Sequence, residues 1–396
     1  MTTPLNEQEL FALQQDLRDF HGTGMFDWQS DAASRLADRS HWHYDEERYW
    51  GGFSHAPFDP ATYTLPAWAI GPFTKYAGNP IFAPDPHGWD CGHYGGGVHN
   101  GAVLQRDGRF YYLYRGEFGI PDVAPMNSRK SPEYDYLCDI GLAVSDDGIN
   151  FSRLAGPFMR GPEDWMYSFE DVNCVEHDGH YYMFLNRWDW LNFHDPSICG
   201  TYLAISDDLI HWEQQGLVFP HATRIHRNAT VVQDPRNRAV RDAQGRFVMY
   251  INDSLIAYSD DMLHWEAKEL AAIWPGGECS FAIAHYRAET PDDLVLFTGG
   301  HHTGHFYATG EVLFSLTDPE TPLEWLPRPV LTADAAIPYE NGYAATPPHS
   351  PISYWTDTVF GCGFTLVGDT WYTYYGGSEY YTCLATAPAH TRSAEF

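Results

Sequence analysis

Asp107-Gly108-Arg109-Phe110-Tyr111-Tyr112 is a Gly-containing turn followed at once by aromatic residues, and the chain repeats this phrase. It returns as Asp178-Gly179-His180-Tyr181-Tyr182-Met183 and as Gln244-Gly245-Arg246-Phe247-Val248-Met249-Tyr250. A degenerate copy reads Asp292-Asp293-Leu294-Val295-Leu296-Phe297, and a last one Gly368-Asp369-Thr370-Trp371-Tyr372-Thr373-Tyr374. A second phrase is interleaved with it. Ala143-Val144-Ser145-Asp146-Asp147 leads to Phe151, Ala204-Ile205-Ser206-Asp207-Asp208 to Trp212, and Ala257-Tyr258-Ser259-Asp260-Asp261 to Trp265. A faded copy runs from Leu313 to Asp318. Short strands and turns repeating every 50–75 residues or so are the mark of a β-propeller. Five copies predict an all-β, five-bladed propeller around a central channel.

The 396 residues form one large domain on this reading, because a blade buries its faces only against other blades. An aromatic content of 16% suits pleated strands and the wedge-shaped gaps between blades, with a minority left to stack on a ligand. The net charge of −30 disfavours nucleic acid and anionic membrane surfaces as partners. No stretch of about eighteen apolar residues predicts a membrane-crossing helix. The start, Met1-Thr2-Thr3-Pro4-Leu5-Asn6-Glu7, lacks the basic and apolar segments of a secretion signal. Cys91, Cys138, Cys174, Cys199, Cys279, Cys362 and Cys383 are odd in number and singly placed. Reduced thiols in a cytoplasmic protein are the expectation.

Residues 1–72 stand apart from the repeats. Thr3 is a candidate N-cap with Pro4 at the first helical position, and Leu5, Leu10, Leu13, Leu17 and Phe20 form an apolar stripe. An N-terminal helix over Pro4–Phe20 is therefore expected, then an irregular arm packed on the propeller or across a homo-oligomer interface. The propeller is expected over 73–388. Antiparallel pairing places the start of each inner strand and the end of the second on one rim. That rim collects His99, Asn100, Arg115 and Glu117, then Glu170, Asp171, Arg187 and Asp189. It continues with Arg227, Asn228, Asn252 and Asp253, with Glu278, His301 and His302, and with Asp357 and Glu379.

Glycosidic cleavage needs a carboxylic acid for the leaving oxygen and a carboxylate that attacks the sugar or activates water. Asp171, Asp234 in Gln233-Asp234-Pro235, and Glu278 in Gly277-Glu278-Cys279 supply candidates from three consecutive blades. Asp234 has two readings. It matches Asp171 if its strand starts at Pro235, and it lies in a far-rim hairpin if Ala229–Gln233 is the strand. His301-His302-Thr303-Gly304-His305 invites a metal reading. Adjacent residues on a strand face opposite ways, however, and no acid stands at ligand spacing, so a sugar-binding role without metal or cofactor is expected.

His99-Asn100-Gly101-Ala102-Val103, Tyr114-Arg115-Gly116-Glu117, Glu170-Asp171 and Arg227-Asn228-Ala229 resemble, in order and spacing, glycoside hydrolase family 130. The ending Tyr374-Tyr375-Gly376-Gly377-Ser378-Glu379 extends the likeness over about residues 74–387. The resemblance implies a five-bladed propeller acting on β-mannosides, as a phosphorylase or an inverting hydrolase, with Asp171 as the general acid. Of the residues on the rim, Asn100, Arg115, Glu170, Arg227, Asn228, His301, His302, Asp357 and Glu379 are expected to bind a small oligosaccharide. The chain departs from the family pattern in two places. Val172-Asn173 follows Asp171 where Pro-Arg is usual, and Asn252-Asp253 stands where phosphorylases carry His-Arg. Fewer cations beside an added Glu278 favour water over phosphate as acceptor. Gln233-Asp234-Pro235 and Glu278-Cys279 also echo the retaining fructan- and arabinan-cleaving propellers, an alternative in which Asp171 is the nucleophile. A propeller that only binds glycans is the non-enzymatic alternative.

Overall fold

The computed structural model describes residues 59, 61–85, 88–90, 97–119, 136–154, 156–157, 159, 167–189, 195–252, 255–270, 278–287, 290, 292–302, 305–334, 336–337, 339–340 and 358–389. Their strands fall into five antiparallel sheets, one per repeat. Blade one is β2 (Val98–Arg106), β3 (Arg109–Gly119), β4 (Tyr136–Ser145) and β5 (Ser152–Arg153). Blade two is β6 (Tyr167–His177), β7 (His180–Asp189), β8 (Gly200–Ser206) and β9 (Glu213–Leu217). Blade three is β10 (Thr230–Val231), β11 (Phe247–Ile251), β12 (Leu255–Ser259) and β13 (Glu266–Glu269). Blade four is β14 (Glu278–Ala284), β15 (Asp293–His302), β16 (His305–Ser315) and β17 (Glu324–Trp325), with β18 (Leu331–Thr332) also on β16. Blade five takes β19 (Val359–Val367), β20 (Thr370–Gly377) and β21 (Tyr381–Pro388) from the end of the chain. Its outermost strand, β1 (Thr74–Lys75), comes from the beginning. The inner strands β2, β6, β10, β14 and β19 each touch the next, and β19 touches β2, so the ring is closed.

Both repeated phrases have local causes. Asp107 and Gly108, at φ 51° and 78°, and Asp178 and Gly179, at φ 51° and 84°, form two-residue turns that match strand twist. The Ser-Asp-Asp phrase folds on its own side chains. Asp208 Oδ1 accepts the N–H groups of Ile210 and His211, and Ser206 Oγ accepts that of Leu209. Ser145 with Asp147, and Ser259 with Asp261, repeat the arrangement. These turns bury Trp212 and Trp265 against the blade faces.

Alternate residues of each inner strand feed opposite gaps: Val103 packs toward blade five and Leu104 toward blade two. Aromatics fill the gaps, as with Tyr112 stacked on Tyr374 at 6.2 Å between blades one and five. The described part of the arm lies in the gap between blades four and five, where Trp68, Ala69 and Ile70 are buried. Ile70 N–H donates to the buried Glu311 carboxylate there at 3.1 Å. The helix expected over Pro4–Phe20 lies outside the described residues, among which there is no helix.

Candidate active site

The inner strands do not start as regular β-structure. Asn100, Asp171 and Asn228 all adopt left-handed backbone, at φ 45°, 51° and 51°, one in each of the first three blades. Asn and Asp tolerate this region better than other non-glycine residues. In blades one and two the same residues sit in β-bulges, between His99 and Ala102 and between Glu170 and Asn173. A bulge re-aims a side chain that regular pleating would turn into the blade gap. Gly101 makes the bend feasible, since a Cβ there would stand 2.2 Å from the Leu113 carbonyl oxygen.

The bulges aim Asp171 into a net of N–H donors. Its Oδ1 accepts from Asn100 Nδ2 at 3.0 Å and from Arg115 Nη1 at 3.2 Å, and its Oδ2 from Asn186 Nδ2 at 3.0 Å. Arg115 also meets Glu117 at 2.7 Å, Glu170 at 3.5 Å and the Cys138 sulfur at 3.3 Å. Glu117 in turn faces His99 Nε2 at 3.1 Å. Arg115 is therefore a buried cation shared by three carboxylates, and it fixes where they stand.

Carboxylates outnumber cations in this cluster, and their protonation follows. Burial pushes Glu170 up to about 7; Arg115 opposes the shift, while Asp171 and Glu117 add to it. Burial likewise pushes Glu379 up to about 7, against the pull of His99 and Arg115. Burial lowers the affinity of His99 for a proton, but the facing Glu117 carboxylate outweighs it and the net shift is upward. Carboxyl groups that change charge near neutrality are suited to proton transfer.

Across the rim, Glu278 opens β14 with its side chain 10% exposed. Arg227 approaches Glu278 Oε1 at 3.6 Å and the Tyr307 hydroxyl lies 3.5 Å from the same oxygen. Arg227 also pulls electrostatically on Glu170, which ties the two halves of the site together. Asn228 joins through Asn186, whose Oδ1 accepts the Asn228 N–H at 2.8 Å.

The structure thus brings together Asn100, Arg115, Glu170, Asp171, Arg227, Asn228, Glu278 and Glu379. It does not bring Asp234. The strand reading with Ala229–Gln233 is the one that holds, and Asp234 caps a hairpin at the far rim. Its Oδ1 accepts the N–H groups of Arg236 and Arg238, and its Oδ2 holds the Arg238 guanidinium. Arg187 is a second correction: it points away from Asp171, with its guanidinium 5.7 Å from the centre of the Tyr202 ring. His301 and His302 end β15, but their side chains lie outside the described set, as does all of Asp357.

Two members of the site escaped the sequence reading. Asn186 is one, and its signal was present: aligning the turns Asp107-Gly108 and Asp178-Gly179 places Asn186, not Arg187, opposite Arg115. Cys362 is the other. It sits at the blade-five bulge with its sulfur 3.6 Å from Asn100 Oδ1, and the sequence around it carries no polar cue.

No family model matches the chain. It is 29% identical over 308 residues to a 1,2-β-oligomannan phosphorylase of Thermoanaerobacter, covering 76% of this chain and 92% of that protein. A β-1,2-mannobiose phosphorylase of the same organism is 27% identical over 331 residues, covering 77% and 94%. Among solved structures, one comes from work on glycoside hydrolases within the GH130 family of mannoside phosphorylases that target β-1,2-mannosidic linkages in Candida mannan. It superposes with a TM-score of 0.64 at 22% identity, covering 84% of this chain and 99% of that one. The β-1,2-mannobiose phosphorylase of Listeria innocua, solved with β-1,2-mannobiose, gives a TM-score of 0.62 at 19% identity, covering 80% and 97%. Blade number and these relatives agree: the chain is a five-bladed β-propeller similar in sequence to β-1,2-mannoside phosphorylases and in fold to a structure from the GH130 family.

Proposed function

We propose that the protein cleaves small β-mannosides, β-1,2-linked mannooligosaccharides being the first candidates, by inverting hydrolysis at the mouth of the channel. The carrying observation is the placement of Asp171. It sits in the bulge of blade two's inner strand, at the residue where the family likeness puts the general acid, and its carboxyl is held by side chains from two blades. Asp171 delivers the proton to the glycosidic oxygen, directly or through a substrate hydroxyl. Glu278 takes a proton from water, whose oxygen attacks the anomeric carbon from the opposite face as the glycosidic bond breaks. The bond electrons leave on the protonated leaving oxygen, and the sugar emerges with inverted configuration.

Electrostatics favours water as the acceptor. A phosphate dianion is held by several converging cations. Here Arg115 is engaged by three carboxylates, and Arg227, 41% exposed, stands 3.6 Å from Glu278. Phosphorolysis is the second reading, supported by the activities of the two curated relatives. The deciding experiment incubates the protein with β-1,2-mannobiose and longer β-1,2-mannooligosaccharides, with and without inorganic phosphate, and follows the products by NMR. Free α-mannose formed in phosphate-free buffer supports hydrolysis. Mannose 1-phosphate formed only when phosphate is present replaces it with phosphorolysis, and a retained anomer overturns the inverting mechanism.

A further inference from the structure

The second strands of successive blades carry side chains that reach forward into the next blade. Arg115, near the end of β3, contacts Glu170 and Asp171 at the start of blade two's inner strand. Asn186 occupies the matching place on β7, and its Oδ1 accepts the N–H of Asn228 in blade three. Asn252, just after β11, offers its Oδ1 to the N–H of Cys279 at 2.9 Å, beside Glu278 in blade four. Asn186, like Arg115, reaches both its own blade and the next. Its Nδ2 is shared between Asp171 Oδ2 in its own blade, at 3.0 Å, and Asn228 Oδ1 in the next.

We infer that Asn186 is a positioning residue for this site, resting on the proposed role of Asp171: it sets where the Asp171 carboxylate stands relative to the part of the sugar that Asn228 faces. The side chain is 1% exposed and commits its amide nitrogen and its carbonyl oxygen to these two residues. Both of its partners hold left-handed backbone, a conformation that persists only where the surroundings impose it. Asn100 and Arg115 approach Oδ1 of Asp171, while Asn186 donates to Oδ2, so it fixes the rotation of the carboxyl plane. Misplacing a reacting group by about 1 Å costs on the order of 10²-fold in rate.

The test pairs kinetics with crystallography on two variants. Asn186→Ala removes all three hydrogen bonds. Asn186→Asp keeps an acceptor for the Asn228 N–H but sets a carboxylate against Asp171, so it stands in if the alanine variant fails to fold. The expected result on the β-mannoside that the wild type cleaves is a kcat lowered by about 10²-fold, with KM within roughly threefold. The Asp171 carboxylate should be turned away from its wild-type place while the blades superpose. An undiminished kcat in a folded variant, alongside an inactive Asp171→Asn, would overturn the inference and leave the proposed function standing. If the wild type turns over no β-mannoside, that function falls instead. The variant crystal structures then decide, and an unmoved Asp171 carboxylate overturns the positioning role.

Discussion

Asp171 divides two carboxylate oxygens among three N–H donors, so its substitution tests chemistry and packing separately. An amide at this position keeps the volume but turns an N–H₂ group toward at least one donor. Asp171→Asn should therefore lower turnover by at least about 10²-fold while costing only about 1–3 kcal/mol of stability. Steady-state kinetics and thermal melts on the same preparation check both halves. Asp234 gives the opposite expectation, because its carboxylate is used up by a hairpin and Arg238. Asp234→Ala should lose about 1–2 kcal/mol of stability, and turnover below the melting transition should stay within roughly twofold. A loss of turnover like that of Asp171→Asn would return Asp234 to the catalytic set. The difference between the two acids was not legible residue by residue, since each reads as a lone Asp beside an inner strand. It depends on which end of a short strand the residue occupies, and β10 is only the pair Thr230–Val231.

The bulged starts of the inner strands and the strand ends facing them form one buried polar element, whose charge depends on pH. Glu170 and Glu379 are both pushed up to about 7 by burial, above the ordinary carboxyl value of 4.5. A folded-state pKa above the unfolded one means that the neutral form is favoured on folding. The resulting stability is fully present below about pH 4.5 and is lost as the pH rises through about 7. Glu379→Gln keeps the neutral shape and cannot ionise. Its melting temperature relative to wild type should therefore rise by a few degrees between pH 5 and pH 8. Thermal melts across that range are the check, and parallel curves for the two proteins would show that Glu379 does not titrate there. The rim could be read from sequence as a set of polar openings, because a core strand has no need of them. Which polar residues face one another could not, because each bulge shifts the register by one residue. Asn186 rather than Arg187 meets Asp171 for that reason.

On the scale of the whole molecule, the ring is closed by strands from opposite ends of the described chain. The repeat showed five blades because its turns are local, Asp-Gly steps and Ser-Asp-Asp phrases that fold on themselves. The closure was not legible. Thr74–Lys75 is too short to show a strand pattern, and its partner Ala385–Thr386 lies more than 300 residues away. What secures it is chemistry at Lys75. Its ammonium donates to Glu340 Oε2 at 2.5 Å and to the Thr332 carbonyl at 2.8 Å, linking blade five's outer strand to the segment that leaves blade four. Glu340 is fully buried, and its remaining partners are the Tyr375 hydroxyl and the Asp334 N–H. Removing the cation leaves a buried carboxylate short of its charge partner, a costly arrangement. Lys75→Met keeps the aliphatic stem, and since Lys75 is 21% exposed, solvent can make good part of the loss. A destabilisation of about 1–3 kcal/mol is expected. The comparison is Lys268→Met on the outer edge of blade three. That lysine pairs with Glu320 at 2.6 Å, but both side chains are more than a third exposed. This second substitution should cost less than about 1 kcal/mol. Denaturant melts of the two variants decide the matter. Equal, small losses would mean that the closing strand is held by its backbone pairing with β21 alone, and that the Lys75–Glu340 pair does not secure the ring.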